Sequence, residues 1–220
     1  MCIRDRTWTA PTATDNCTLD TFTSTHNSGD FFDVGTTTVS FTATDDCGNS
    51  TTTSFDITIT DDEAPTISGM PANMTQTADA SECDTAVTWA APTTADNCSA
   101  VITSTHSPGD SFEVGTTTVT YTSVDPSGNT TSLSFTVTVT DDEDPAIAGN
   151  PGNLTQTADA GQCSALVSWT APTATDNCAI STFTSTHNSS DAFAVGTTTV
   201  TYTATDIHGN SSTISFEVTV

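Results

Sequence analysis

Basic side chains are almost missing from this sequence. Its 220 residues hold 2 Lys+Arg against 27 Asp+Glu, a formal net charge of −25. Both cations, Arg4 and Arg6, lie near the start, and none follows. A chain with no Lys or Arg after Arg6 cannot displace counterions from phosphate, so nucleic-acid binding is excluded. Docking on anionic lipid is excluded on the same ground. No apolar run approaches the ~20 residues of a membrane span, so no membrane insertion is expected. Apolar residues are scarce, at 34%, but they are regularly patterned, which is not how a disordered chain reads. Enzyme signatures are missing as well: there is no G-x-S-x-G setting, phosphate loop or His-x-x-x-His pair.

Threonine is abundant, roughly a quarter of the chain, and such β-branched residues suit strands and disfavour helices. The dominant feature is an internal repeat. D-N-C begins at Asp15, Asp96 and Asp176, steps of 81 and 80. V-G-T-T-T-V begins at Val34, Val114 and Val195, steps of 80 and 81. Trp8, Trp89 and Trp169 recur in the same way, as do Gly48, Gly128 and Gly209. The one-residue difference in step falls between D-N-C and S-T-H, which is expected to be a loop. Acidic strings from Asp61 and Asp141 mark the repeat starts. The expected domains are 1–60, a partial repeat lacking its first third, then 61–140 and 141–220.

A period of 80 residues is too long for a solenoid coil and fits one small sandwich per repeat. Alternation gives the inward faces. In repeat 2 these are Val87 and Trp89, Val119 and Tyr121, then Leu133, Phe135, Val137 and Val139. In repeat 3 they are Val167, Trp169, Val200, Tyr202, Ile214, Phe216 and Val218. Shorter strands are expected near 66–67, 74–77, 101–104 and 112–114, about seven in all. The fold class is all-β: tandem immunoglobulin-like antiparallel β-sandwiches of about 80 residues each. Asp125-Pro126-Ser127-Gly128 has the residue preferences of a type I turn, and Asp45…Gly48 and Asp206…Gly209 keep its Asp and Gly. These Asp residues therefore have a structural reason to be there.

The order C-x5-W, A-P-T-x-x-D-N-C, V-G-T-T-T-V-x-Y-x-x-x-D-x-x-G-N, F-x-V-T-V runs from Cys83 to Asp142 and again from Cys163 to Val220. This combination resembles the hyalin repeat (HYR) family over nearly the whole chain. The resemblance implies an immunoglobulin-type sandwich, a place in extracellular, adhesion-related proteins, and no enzymatic activity. Repeats 2 and 3 depart from the family in lacking a second cysteine pair. Gly69, Met70 and Asn150 stand near one expected cysteine, Ser134 and Ser215 near the other.

Cys83 and Cys98, and likewise Cys163 and Cys178, are 15 apart, flank a Trp and recur with the repeat. Each pair reads as a disulfide within one repeat, which points to an oxidising compartment. A cysteine metal site is the weaker reading, with no second C-x2-C nearby. Cys2 has the right spacing to Cys17, but Arg4, Asp5 and Arg6 put charge where a core strand should run, so residues 1–6 read as foreign. Cys47 is either a vestige of a second pair or a free thiol. No secretory signal is visible, and the chain reads as a piece of a longer array.

His26, His106 and His187 occur once per repeat at one equivalent position, and His208 lies in a turn; all four read as ordinary polar residues. N-x-S/T strings at Asn73, Asn129, Asn153 and Asn210 arise readily in so Thr-rich a chain. The candidate metal ligands are Asp61, Asp62 and Glu63 before repeat 2, and Asp141, Asp142, Glu143 and Asp144 before repeat 3. Joined by loop carboxylates (Asp45, Asp46, Asp125 or Asp206; or Asp96 and Asp176), they could supply the hard oxygen ligands calcium takes. The alternative is a solvated acidic linker. No other cofactor is expected. The functional expectation is a non-enzymatic structural or adhesive spacer of a secreted or cell-surface protein, a rod of repeats. Its partners would be other repeats of the same chain and an extracellular protein or glycan. The rival is a carbohydrate- or surface-binding accessory region of a secreted enzyme, which would need exposed aromatics or long Thr rows.

Overall fold

A computed structural model describes residues 4–220, and Cys2 lies outside the described residues. Every regular element among the described residues is a β-strand. Repeat 1 contains β1 (Arg4–Asp5), β2 (Leu19–Ser24), β3 (Phe31–Phe32), β4 (Gly35–Asp45) and β5 (Ser50–Ile59). Repeat 2 contains β6 (Thr66–Ser68), β7 (Met74–Thr77), β8 (Asp84–Ala86), β9 (Thr93–Ala95), β10 (Val101–Ser104), β11 (Ser111–Glu113), β12 (Gly115–Val124) and β13 (Thr130–Thr140). Repeat 3 contains β14 (Ala146–Ala148), β15 (Leu154–Thr155), β16 (Ser164–Leu166), β17 (Thr173–Thr175), β18 (Ile180–Ser185), β19 (Ala192–Ala194), β20 (Thr197–Asp206) and β21 (Ser211–Thr219).

The chain divides into two compact units. The first comprises everything up to Pro71 with Ala90–Thr105 and Thr120–Ser134; the second comprises Ala72–Trp89, His106–Val119 and Phe135–Val220. Each unit thus combines one terminal repeat with part of repeat 2.

In the second unit, repeat 3 is a two-layer sandwich. One layer is the sheet β15-β21-β20-β18. The ribbon β16-β19 faces it, and β14 and β17 form a second two-stranded ribbon. Ala165, Val167 and Phe193 face Val200, Tyr202, Phe216 and Val218 in one core, while the alternate Thr residues of β20 point outward, as expected of a sheet covered on one face. The first unit repeats the plan around Phe32, Val39, Phe41, Ile57 and Ile59.

Several details depart from the sequence reading. The first long-sheet strand runs parallel, not antiparallel: β7 pairs with β13 and β15 with β21 in parallel register. Leu133, expected inside, is 41% exposed. Its repeat 3 counterpart Ile214 packs on the core beside Phe183, where repeat 2 carries the smaller Ile102. Trp8, Trp89 and Trp169 are half-buried rather than fully inside. The expected insertion-tolerant loop is a β-bulge: β2 shifts register between Leu19 and Thr21, and β18 between Ile180 and Thr182. A single extra residue can be absorbed within a ladder that way.

Candidate functional site

The D-N-C and D-x-x-G-N motifs do local structural work first. Asp206 lies in the β20–β21 turn and is only 2% exposed. Its Oδ1 accepts backbone N–H bonds from His208 at 2.8 Å and Asn210 at 2.9 Å, and one from Gly209. Its Oδ2 accepts from Asn210 Nδ2 at 2.7 Å. Burial opposes ionisation, but these bonds outweigh it and hold the carboxyl below its ordinary pKa. Gly209 takes φ +100°, the left-handed conformation that closes the turn. In D-N-C, Asp176 Oδ2 accepts from the Cys178 and Ala179 backbone N–H groups at 3.0 and 3.2 Å.

These two motifs meet the acidic linker. Carboxylate oxygens of Asp141, Asp176 and Asp206 lie within 4.8 Å of one another. Asn210 Nδ2 donates to the Asp141 carbonyl oxygen at 3.3 Å. Asn177 Nδ2 donates to Asp141 Oδ1 at 3.1 Å and to the Glu82 carbonyl at 2.9 Å. Asp141 Oδ2, Asp176 Oδ1 and the neighbouring Asn177 Oδ1 are buried without a hydrogen-bond partner. A buried acceptor left unpaired costs about 1–3 kcal/mol, more when charged. The chain offers no cation here, since its last basic residue is Arg6. A groove of about 270 Å³ opens beside the cluster, bounded by Ser81, Glu143, Asp144 and Asn177.

The first unit carries the counterpart. Asp61 and Asp96 approach each other within 4.8 Å, together with Cys98. Asp61 Oδ2 and Asp96 Oδ1 are again buried without partners. Asn129 Nδ2 bridges the Asp61 carbonyl at 3.1 Å and Asp125 Oδ2 at 2.7 Å. Of the linker carboxylates proposed from sequence, only Asp61 and Asp141 enter these groups. Asp62, Glu63 and Asp142 are exposed and outside them. Glu143 Oε2 instead accepts from the Ser81 N–H at 2.9 Å, and Asp144 Oδ1 accepts from Ser211. Asp45, Asp46 and Cys47 form a third grouping in the exposed turn of repeat 1.

The cysteine pairing differs from the expectation. Cys83 bonds to Cys178, with Cα atoms 4.7 Å apart and 95 residues between them in sequence. This joins repeat 2 to repeat 3 rather than closing a loop inside either. Cys163 is free and exposed, as are Cys17 and Cys47. Cys98 is disulfide-bonded, but not to Cys83. The physical reason is the path between the paired positions. Residues 164–175 contain no turn, only β16, an extended stretch and β17, and the two strands pair with different partners. Closing a 15-residue loop would require a reversal, because disulfide geometry needs Cα atoms within about 7 Å.

The remaining candidates have structural roles. His26, His106 and His187 lie against Phe32, Phe112 and Phe193 in tilted ring contacts, with centroids 5.1–5.2 Å apart. Trp169 lies 5.3 Å from Phe216, and its Nε1 donates to the Tyr202 hydroxyl at 2.8 Å. An indole held in this way is not a sugar platform. Asn73 and Asn153 accept backbone N–H bonds from Thr136 and Glu217, both at 3.0 Å.

Among known proteins, the chain is 40% identical over 222 residues to hyalin of Lytechinus variegatus and, over the same length, to hyalin of Strongylocentrotus purpuratus. Each alignment covers 97% of this chain. The chain spans 42% and 18% of those two proteins. It is also 36% identical over 132 residues, 56% of its length and 4% of the relative, to the sushi, von Willebrand factor type A, EGF and pentraxin domain-containing protein 1 of Rattus norvegicus. Among solved structures, protocadherin gammaB7 EC3-6 is 17% identical, with a TM-score of 0.32 over 94% of this chain and 67% of that one. Human CDH23 EC21-23 is 16% identical, with a TM-score of 0.33 over 90% and 81%. Likeness at this level carries no functional weight. Residues 5–59, 60–139 and 140–220 each match the HYR domain, so the chain belongs to the HYR domain family.

Proposed function

We propose that this chain is a non-enzymatic, adhesive spacer of an extracellular protein, and that calcium holds its repeats in register. The observation that carries this reading is the convergence of Asp141, Asp176 and Asp206, two of which, Asp141 and Asp176, each carry a buried oxygen without a hydrogen-bond partner. The Cys83–Cys178 bond supports it in two ways. It ties successive repeats together, and it belongs to an oxidising environment outside the cytoplasm. The donor set is all hard oxygen, as calcium prefers, and six to eight ligands leave room for water or a backbone carbonyl. A bound divalent ion would neutralise charge that no Lys or Arg offsets, since none follows Arg6. Partners would be neighbouring repeats and an extracellular protein or glycan.

The test is thermal unfolding of the whole chain in millimolar calcium against chelator at matched ionic strength. Calcium should raise the melting temperature. Asp141→Asn combined with Asp176→Asn should abolish the rise, while Asp142→Asn should leave it intact. An equal response in all three proteins would remove the ion from the junction.

A further inference from the structure

Among the described residues repeat 1 carries two free thiols, Cys17 and Cys47. Strand register sets them face to face. In the β2–β4 ladder Leu19 lies opposite Asp45. The next step outward is held by the Asp46 N–H, which donates to the Thr18 carbonyl at 3.1 Å. One step further in the same register, Cys17 stands opposite Cys47. Facing positions of an antiparallel pair have Cα atoms about 4.5–5.5 Å apart, inside the range of about 4.4–6.8 Å that a disulfide takes.

Repeat 3 shows that side chains at these two positions meet. Its ladder runs in the same register, with Ile180 opposite Asp206 and the Ile207 N–H donating to the Ala179 carbonyl at 3.1 Å. The facing residues there are Cys178 and His208, and a ring nitrogen of His208 lies within 4.8 Å of the Cys178 sulfur. His208 remains exposed although Cys178 is already bonded to Cys83 of repeat 2. The third residue of the D-x-x-G-N turn thus reaches the D-N-C cysteine from the solvent side, whatever that cysteine is bonded to. Repeat 2 carries Ser127 at this turn position, and repeat 1 alone puts a second sulfur there, Cys47.

We propose that Cys47 is a resolving thiol for Cys17, so that repeat 1 reduces low-molecular-weight disulfides and closes a 17–47 bond in exchange. The Cys17 thiolate attacks a disulfide RS–SR, forms Cys17–S–SR and expels one RS⁻. The Cys47 thiolate then attacks the Cys17 sulfur, forms the 17–47 bond and expels the second RS⁻. Two electrons pass from the protein to the disulfide, and the two thiol protons leave with two RSH. Charge selects the substrate, because a chain of net charge −25 repels anionic disulfides and admits neutral ones. The second step also removes any thiol held at Cys17. Its counterpart Cys178 carries the bond between repeats, so a 17–47 bond and a link of that kind at Cys17 exclude each other.

The experiment treats the whole chain with one equivalent of 4,4′-dithiodipyridine, a neutral disulfide, and quenches in acid, where exchange stops. Peptic peptides are then mapped by mass spectrometry. The expected result is two pyridinethiones released per reacted Cys17, Cys17 joined to Cys47, and a second release whose rate is independent of protein concentration. Cys47→Ser copies Ser127 of repeat 2. In that variant Cys17 should keep its pyridyl adduct and release should fall twofold, while modification of Cys163 is unchanged. Retention of the adduct on Cys17 in the unaltered protein would overturn the assignment. So would Cys17 joined to Cys163, or a second release that speeds up with protein concentration.

Discussion

Repeats 1 and 3 share one sandwich plan, and among the described residues repeat 3 has the N-terminal strand pair and repeat 1 does not. Both place a β-branched residue, Val39 or Val200, at the fully buried centre of the longest strand. Both set a His against a Phe in a tilted ring contact and a half-buried Trp against the core. The difference lies at the open side. Phe216 is buried in the core against Trp169, whereas Phe55, also beside a Trp, stays partly in solvent. The turn aspartate follows the same rule: Asp206 is buried behind the acidic linker, and Asp45 is not. The long hairpin and its alternation therefore suffice to form the central sheet. Burial of its far half depends on the two short strands that precede it.

The largest expected effect follows from that contrast. Phe216→Ala should cost about 3–5 kcal/mol, the usual loss for emptying a fully packed aromatic site. Phe55→Ala should cost less than about half as much, since a good part of that ring already meets water. Chemical denaturation of each variant, with hydrogen exchange to report which repeat opens, measures both. Equal losses would mean that the short strands add nothing to the core.

A smaller effect should separate the turn aspartates. Three backbone N–H bonds and Asn210 hold Asp206 below its ordinary pKa despite burial. Asn49, then the Asn49, Cys47 and Gly48 backbone groups, likewise lower Asp45, against a desolvation cost. A depressed folded pKa gives stability that is complete above the unfolded value, about 3.9, and is lost as pH falls through the folded one. Asp206→Asn should therefore lower the melting temperature most at neutral pH, and the gap from the unaltered protein should close in acid below about pH 3.9. Asp45→Asn should show the same sign with a smaller gap, because water competes for its bonds. A gap that widens in acid would show that repulsion, rather than hydrogen bonding, governs these turns.

Strand positions and the Asp…Gly turns were legible because each is encoded within a few residues: alternation fixes which face is buried, and Gly128 at φ +92° fills the left-handed place the turn requires. The junction chemistry was legible only in part. Asp61 and Asp141 stood out as linker acids, but nothing in a linear string ranks Asp176 above Asp142 as their neighbour. That choice depends on D-N-C forming a turn whose carboxylate faces the preceding repeat. The disulfide partner was hidden for a related reason. Identical cysteines in every repeat make Cys83–Cys98 and Cys83–Cys178 equally periodic, and only the absence of a turn between β16 and β17 in the corresponding stretch separates them.

The smallest expected effect concerns the single extra residue. In repeats 1 and 3 the residue after the D-N-C cysteine uses its carbonyl: Thr18 accepts from the Asp46 N–H, and Ala179 from the Ile207 N–H, both at 3.1 Å. Each of these repeats then carries its bulge. Repeat 2 has Pro126 at the donor position, and proline has no N–H to give. There the residue after the cysteine, Ser99, turns to φ +75°, and the strand proceeds one residue shorter without a bulge. The bulge and the turn residue are thus two ends of one hydrogen bond. Deleting Ser181 alone should cost about 0.5–1.5 kcal/mol, the net value of one ordinary hydrogen bond. Deleting it together with Ile207→Pro should cost less than the sum of the two changes made separately, because the second removes the donor that the first would strand. A double-mutant cycle on thermal or denaturant unfolding measures this coupling. Strict additivity would mean that the Ile207–Ala179 bond and the bulge are independent, and that the one-residue step between repeats has no structural partner in the turn.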